Sequence, residues 1–209
     1  MGKILIAYYS RKGQNYVNGA IKNLAKGNTA IIAEMIQGLI GGELFEIDTV
    51  KDYPVDYTEC TNVAKVEIQQ KARPELKRYL ASIDAYDKIF LGYPIWWSIP
   101  PMAVSTFLER YDFSGKKIFP FATHEGSGLG GSVSYIKKFA RPLTLRQGLL
   151  FTARRQVNRP RKSRNGLNHF PIQNFEKISL ITSSPTASPV NSLKHSKAPR
   201  RSIDTKSIP

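Results

Sequence analysis

Three clusters in this 209-residue chain carry residue types suited to holding a phosphate and a planar ring. The first is split in two: Ser10–Asn15 (SRKGQN) and Gly27–Thr29 (GNT), with 11 residues between them. A phosphate is held best by free backbone N–H groups at a helix N-terminus, helped by hydroxyls. Asn28 and Thr29 stand directly before an apolar helical pattern, so they, joined by Ser10, are the candidate phosphate residues. A simple N-cap followed by a loop would use the same residue types.

The second cluster is Pro94-Ile95-Trp96-Trp97-Ser98, which contains both tryptophans of the chain. In extended backbone, successive side chains face opposite ways, so at most one indole fits the core comfortably. The other needs a partner, and a flat cofactor ring is a good one, although large aromatics also plug the tops of cores. The third cluster is THEGSGLGG, residues 123–131, where small residues let backbone approach a ligand closely. Thr123, His124, Glu125, Gly126, Ser127 and Gly128 are its candidates. His124 could be a base or a metal ligand. With no Cys or His cluster beside it in sequence, the expectation is no metal, a histidine bonded to backbone or solvent, and a solvated Glu125.

Positioning these clusters requires strands that end where they begin. Lys3–Tyr9 (KILIAYY) is a continuous apolar run, as expected of a strand covered on both faces. Asn28–Ile40 reads as a helix with Asn28 as N-cap, Gly41-Gly42 as stop, and Ile31, Ile32, Met35, Ile36, Leu39 and Ile40 on its apolar face. A short strand at Glu43–Asp48 follows, then helical stretches at Glu59–Ala72 and Pro74–Ile83. Lys88–Tyr93 reads as a buried strand, Pro101–Tyr111 as a helix, Lys117–Phe121 as a strand and Ser132–Ala140 as a helix. Gln147–Thr152 is the last candidate strand. This alternation predicts an α/β fold, a doubly wound parallel sheet. Ligands of such sheets bind beyond the carboxyl ends of the strands, where all three clusters fall.

The charge is unevenly spread. Of 31 Lys/Arg and 16 Asp/Glu, residues 141–209 hold 14 and two respectively, which leaves the first 140 residues at only +3 of the total +15. This last third also carries seven of the 13 prolines, and ARRQVNRPRKSRNGLN has no apolar stripe and no acid. Residues 153–209 are therefore expected to form a basic, Pro/Ser-rich, disordered tail behind a domain spanning 1–152. Trypsin should trim it near Arg154 or Arg155. With Cys60 as the lone cysteine, no intrachain disulfide can form. No apolar stretch reaches the roughly 20 residues of a membrane span. The N-terminus reads as a buried strand and not as a signal peptide, which makes a cytoplasmic location the expectation.

Taken together, "ILIAYYSR", "GNT", "ELFEI", "ARPEL", "YDKIFLGYPIWW", "P..V.TFLE.YDFSGK" and "PF.THEGSG" resemble the flavodoxin-like FMN-binding proteins, in order, over residues 1–140. The resemblance implies a flavodoxin-like sheet and an FMN cofactor. It places the FMN phosphate at Ser10, Asn28 and Thr29, and the isoalloxazine at Pro94, Ile95, Trp96, Trp97 and Ser98. Thr123, His124, Glu125, Gly126, Ser127 and Gly128 would form the second wall, and no catalytic side chain is named. A redox function follows, as an electron carrier or as an FMN-dependent reductase of small acceptors such as quinones. A redox partner protein or small acceptor, and a nicotinamide donor, would be its partners. The family's long final helix has no counterpart in the basic tail, which is either a reading-frame change or a divergent extension. An uncovered sheet face there would favour a homodimer. The rival reading is a non-catalytic binding protein with a degenerate flavin site, its tail engaging nucleic acid or anionic surfaces, although no specific nucleic-acid motif is present.

Overall fold

The apolar run at the N-terminus forms β1 (Lys3–Tyr8), whose side chains enter two different cores. Leu5 and Ala7, with Tyr9 just beyond, pack on one face of the sheet, while Ile6 and Tyr8 pack on the other. Burial on both faces is why the run does not alternate with polar residues. The structure is a computed structural model and describes residues 3–139, 144–145 and 149–152. The expected tail at 153–209 lies outside the described residues.

After β1 the chain forms a small antiparallel hairpin, β2 (Gly13–Val17) and β3 (Ala20–Leu24). It then enters α1 (Asn28–Ile40) and β4 (Glu43–Glu46). α2 (Tyr57–Gln70) leads to β5 (Tyr86–Pro94), α3 (Met102–Arg110) to β6 (Lys117–His124), and α4 (Ser132–Ile136) to β7 (Thr144–Leu145) and β8 (Leu149–Thr152). The sheet order is β4-β1-β5-β6, with β7 and β8 both paired to β6, and every pairing is parallel. One core gathers α1 (Ile32, Ile36) against Phe90, Phe119 and Phe121; the other gathers α3 (Val104, Phe107, Leu108) against Ile89, Leu91 and Tyr93. Helices on both faces confirm the doubly wound α/β class. The chain leaves β1 for β4 on one side and returns to β5 on the other, so the switch point lies between β1 and β5.

Several elements differ from the sequence expectation. Pro74–Ile83 is not helical. Leu76 makes an antiparallel bridge to Thr49, and the Lys77 N–H donates to the Asp48 carbonyl at 2.9 Å. Leu76 and Ile83 are thereby buried in the α3-side core, so tertiary pairing overrides local propensity. In α1 the buried face is Thr29, Ala30, Ile32, Ala33 and Ile36, with Met35 and Ile40 packed at its margin, and Leu39 is 55% exposed. The N-cap of α1 is Gly27, not Asn28. β6 runs three residues beyond Phe121, so Thr123 and His124 belong to a strand, and α4 ends at Ile136. The strand expected at Gln147–Thr152 is found as β8, hydrogen-bonded along the end of β6.

Candidate cofactor site

A cleft of about 480 Å³ opens at the switch point, a size usual for cofactor sites. Its walls come from four places: the stretch from the end of β1 through the first turn of α1 (Arg11, Asn15, Tyr16, Asn28, Thr29), α2 (Tyr57, Cys60, Thr61, Ala64), the end of β5 (Pro94–Trp97) and the end of β6 (Thr123–Glu125). Among the residues expected from sequence, Asn28, Thr29, Pro94, Ile95, Trp96, Trp97, Thr123, His124 and Glu125 thus line one cavity. Ser10, Ser98, Gly126, Ser127 and Gly128 are not among its lining residues.

Ser10 nevertheless shapes the site. Its Oγ accepts the Ala30 N–H at 3.0 Å, capping α1 from a residue 20 positions earlier. Gly27 makes that contact possible, since a Cβ there would lie 2.3 Å from Ser10 Oγ and 2.4 Å from the Arg11 carbonyl oxygen. The Ile31 N–H bonds the Gly27 carbonyl, while the N–H groups of Asn28 and Thr29 have no acceptor among the described residues. An α1 N-terminus with two unpartnered donors at a cleft is suited to an anion. The Thr29 side chain, 2% exposed, shares a 2.8 Å hydrogen bond with the Thr123 hydroxyl. Two hydroxyls carry two protons and their mutual bond uses one, so the pair keeps one donor for a third group.

The two tryptophans separate sharply. Trp96 is half-buried and meets Tyr9 and Tyr53 edge-on, with ring centroids 5.4 and 5.1 Å away. Tyr53 in turn donates to Glu67 at 2.6 Å; burial and this bond push its phenol up, and burial also pushes the Glu67 carboxyl up. Trp97 is 53% exposed. Its Nε1–H donates to the Thr61 carbonyl at 3.0 Å, and Lys65 Nζ sits 5.3 Å from its ring centre. The divergence does not come from extended backbone, as the sequence suggested. Trp96 and Ile99 exchange both backbone hydrogen bonds, and Trp97 and Ser98 between them have φ of 49° and 71°. That is a two-residue primed turn, usually built from Gly or Asn. Holding Trp97 and Ser98 in it leaves their N–H groups without an acceptor among the described residues. Such backbone strain is stored at sites with a use for it.

The third cluster is organised by its histidine. His124 Nδ1 accepts two backbone N–H groups, from Gly126 at 2.9 Å and Gly128 at 3.1 Å. Both glycines sit at positive φ, 138° and 63°, which turns their N–H groups inward. Burial lowers the imidazole pKa, against a smaller raising effect from Glu125, in keeping with a neutral ring whose Nδ1 lone pair is used. His124 therefore serves the loop, as its sequence context implied. Glu125 departs from the solvated charge expected. Its Oε2 accepts the Asn18 N–H at 2.9 Å, while Oε1 is buried with no hydrogen-bond partner among the described residues.

Sequence reasoning missed the α2 wall and the hairpin. Cys60 lies at the cleft with its thiol pushed up by burial. Arg11 donates to the carbonyls of Gln14, Pro54 and Val55, the last two at 2.7 and 2.8 Å, and Gln14 Oε1 accepts the Tyr57 N–H at 2.9 Å. The apparent 11-residue insert is a hairpin tied to the start of α2. Its signal in sequence was Asn18-Gly19, a hairpin dipeptide between two short β-prone runs.

Parallel strands, helices on both faces and a cleft at the switch point define a doubly wound nucleotide-binding type of protein. A flavodoxin family model matches residues 3–161, and the chain belongs to that family. Its structure is similar to that of a Bacteroides eggerthii protein taken to be a flavoprotein, at 30% identity over 87% of this chain and 96% of that one, TM-score 0.63. A second such Bacteroides uniformis protein is 30% identical over 73% of this chain and 92% of that one, TM-score 0.61. A Lactobacillus acidophilus flavoprotein in complex with FMN shares the fold at 24% identity, covering 72% of this chain and 93% of that one, TM-score 0.55. No curated protein matches the chain. Among the described residues no helix is long and apolar enough to cross a membrane.

Proposed function

We propose that the chain binds one FMN in this cleft and acts as a redox flavoprotein, a reductase of small acceptors such as quinones in preference to a protein-docking electron carrier. The observation that carries the reading is the convergence of three kinds of unused polar group on one cavity. These are the Asn28 and Thr29 N–H groups, the Trp97 N–H group, and the Glu125 carboxylate, whose Oε1 has no partner among the described residues. Each class fits one part of FMN: an anion, ring acceptors, and a ring or ribityl donor. The FMN complex of the Lactobacillus acidophilus flavoprotein adds support. When bound, FMN supplies one- and two-electron transfer.

The protein's own contribution is to bind and orient. The α1 N-terminus, with the Thr29–Thr123 hydroxyl pair, would hold the phosphate. The exposed Trp97 ring would cover the isoalloxazine, while Trp96 stays in the aromatic cluster with Tyr9 and Tyr53. An apolar cover and a nearby carboxylate both disfavour added negative charge on a ring, so they would set a low potential. The net charge of +3 over residues 1–140 argues against the acidic docking face an electron carrier presents to basic partners. A nicotinamide donor and a cytoplasmic location complete the reading, which rests there on the family resemblance and the lone cysteine. Domain limits of 1–152 and 153–209 are part of the same proposal.

The test is direct. Purified protein should be yellow, release FMN on denaturation, and lose tryptophan fluorescence when the stripped chain is titrated with FMN. A colourless protein whose tryptophan emission is unchanged by FMN at micromolar concentrations would refute the reading.

A further inference from the structure

The β2–β3 hairpin covers the cleft in a way that the switch-point fold does not require. Its base is anchored by Arg11 on the carbonyls of Pro54 and Val55 and by Gln14 on the Tyr57 N–H. Tyr16 sits 6.1 Å from the Tyr57 ring, and both rings line the cleft. The tip crosses the opening to the far wall, where the Asn18 N–H meets Glu125 Oε2 at 2.9 Å. Apart from the buried Val17, little apolar area holds it down, because β3 is exposed over Ala20–Asn23 and Ile21 remains 50% exposed. Segments with few buried contacts open readily, so hydrogen bonds at the tip, that to Glu125 among them, carry weight.

Glu125 is unusual in how it spends its oxygens. A carboxylate can accept about four hydrogen bonds, and a buried polar oxygen is nearly always satisfied. Here Oε2 is occupied by the hairpin, and Oε1 is buried without a partner among the described residues. The residue lines the cleft, so a small turn of its carboxylate would present this oxygen to a donor that a ligand brings.

We infer that Glu125 is a two-handed latch: Oε2 holds the hairpin tip, Oε1 receives an N–H or O–H of the bound ligand, and cleft occupancy and hairpin closure therefore stabilise each other. This rests on the FMN reading above, which supplies a ring imide N–H and ribityl hydroxyls as donors of the right class. The coupling is reciprocal by linkage: whatever a closed hairpin adds to ligand affinity, the ligand adds to hairpin closure. A ligand with a phosphate but no donor of this kind, such as inorganic phosphate, should not engage the latch.

The discriminating variant is Glu125→Gln, because it puts a donor NH2 in place of one of the two acceptor oxygens, and so can accept from the tip or from the ligand at those two positions but not both. Amide hydrogen exchange over residues 13–24 and FMN affinity would be measured together in wild type, Glu125→Gln and Glu125→Ala, with thermal melts confirming that each folds. In wild type, FMN should slow hairpin exchange at least tenfold, and inorganic phosphate should not. Glu125→Gln should bind FMN at least tenfold more weakly and lose most of the FMN-dependent protection. Glu125→Ala should show a fast-exchanging hairpin with or without FMN. FMN binding to Glu125→Gln within twofold of wild type, with hairpin protection intact, overturns the latch while leaving the FMN reading standing. Wild type that binds FMN with no change in hairpin exchange overturns the latch in the same way. A wild-type chain that takes up no FMN overturns the FMN reading, and the latch with it.

Discussion

Two of the cleft's walls are built in opposite ways. The wall from the ends of β5 and β6 grows out of buried strands: Tyr93, Phe121 and Ala122 are fully buried, and Ile95 is tied to the Thr123 carbonyl at 3.1 Å. The wall from the hairpin stands off the sheet, pairs only with itself in strand terms, and leaves most of its residues exposed. Close-packed interiors hold groups in one arrangement, whereas sparsely packed segments have low opening energies. One wall is thus a fixed template for a ligand, and the other is free to adapt to it. Substitutions of equal size should have very unequal effects on the two.

The largest effect belongs beneath the fixed wall. Tyr93 is fully buried directly before Pro94, and its hydroxyl donates to the buried Ser132 Oγ at 3.1 Å. Tyr93→Ala should cost about 3–5 kcal/mol in urea unfolding, as large aromatic truncations in cores do, and should take ligand binding with it. A loss under about 1 kcal/mol would show that this wall is far less rigid than its burial implies.

The adjacent tryptophans sharpen the comparison within one loop. Trp96→Leu should cost about 1–3 kcal/mol of stability, because it empties a place between Tyr9 and Tyr53. Trp97→Leu, with half its ring exposed, should leave stability within about 0.5 kcal/mol. It should still weaken FMN several-fold, the scale of about 0.5–1.5 kcal/mol for an aromatic pair, and abolish most of the fluorescence quenching. Retention of full quenching in Trp97→Leu would assign the contact to Trp96 instead.

The same contrast explains how much could be read from the chain. The fixed wall was legible because buried parallel strands have a plain signature, continuous runs such as KILIAYY and KIFLGY, and because their loops break it with Pro-Trp-Trp or Gly-rich segments. What failed depended on pairing between distant residues. The stretch around Leu76 looked helical in isolation, but its backbone bonds go to Asp48, Thr49 and Val50. Glu125 looked solvated because nothing nearby in sequence announces that the tip of a hairpin 107 residues earlier will cover it. The Trp97-Ser98 turn carries neither Gly nor Asn, so its left-handed backbone had no local signal.

A smaller effect should come from pH, acting at the junction of the two walls. His124 Nδ1 accepts from Gly126 and Gly128, so protonation there breaks both bonds. Burial places its pKa below the ordinary 6.5, so an open loop takes up a proton that the ordered loop refuses. The ordered loop is therefore fully stable above pH 6.5, weakens as pH falls below it, and levels off once pH passes the lowered value. FMN affinity should fall over the same window by less than tenfold per pH unit, the limit for one proton. His124→Asn keeps an acceptor that does not titrate and should remove this component. What remains then reports the ligand phosphate, whose own second titration lies near pH 6. An unaltered pH profile in His124→Asn would discard the histidine as its source.

The smallest effect is expected at the exposed side of the hairpin, and it tests whether that wall is independent of the fold. Ile21 lies opposite Tyr16 across the β2–β3 ladder and is half exposed. Cross-strand pairs of this kind contribute roughly 0.2–1 kcal/mol to the strands that make them. Ile21→Ala should therefore speed hydrogen exchange across residues 13–24 by up to several-fold. The global unfolding free energy should stay within about 0.5 kcal/mol of wild type, since opening the hairpin exposes almost none of the two cores. If Ile21→Ala instead lowered global stability by about 2 kcal/mol or more, well beyond what a surface pair contributes, the hairpin would have to be part of the cooperative unit. The contrast between a fixed wall and an adaptable one would then fall.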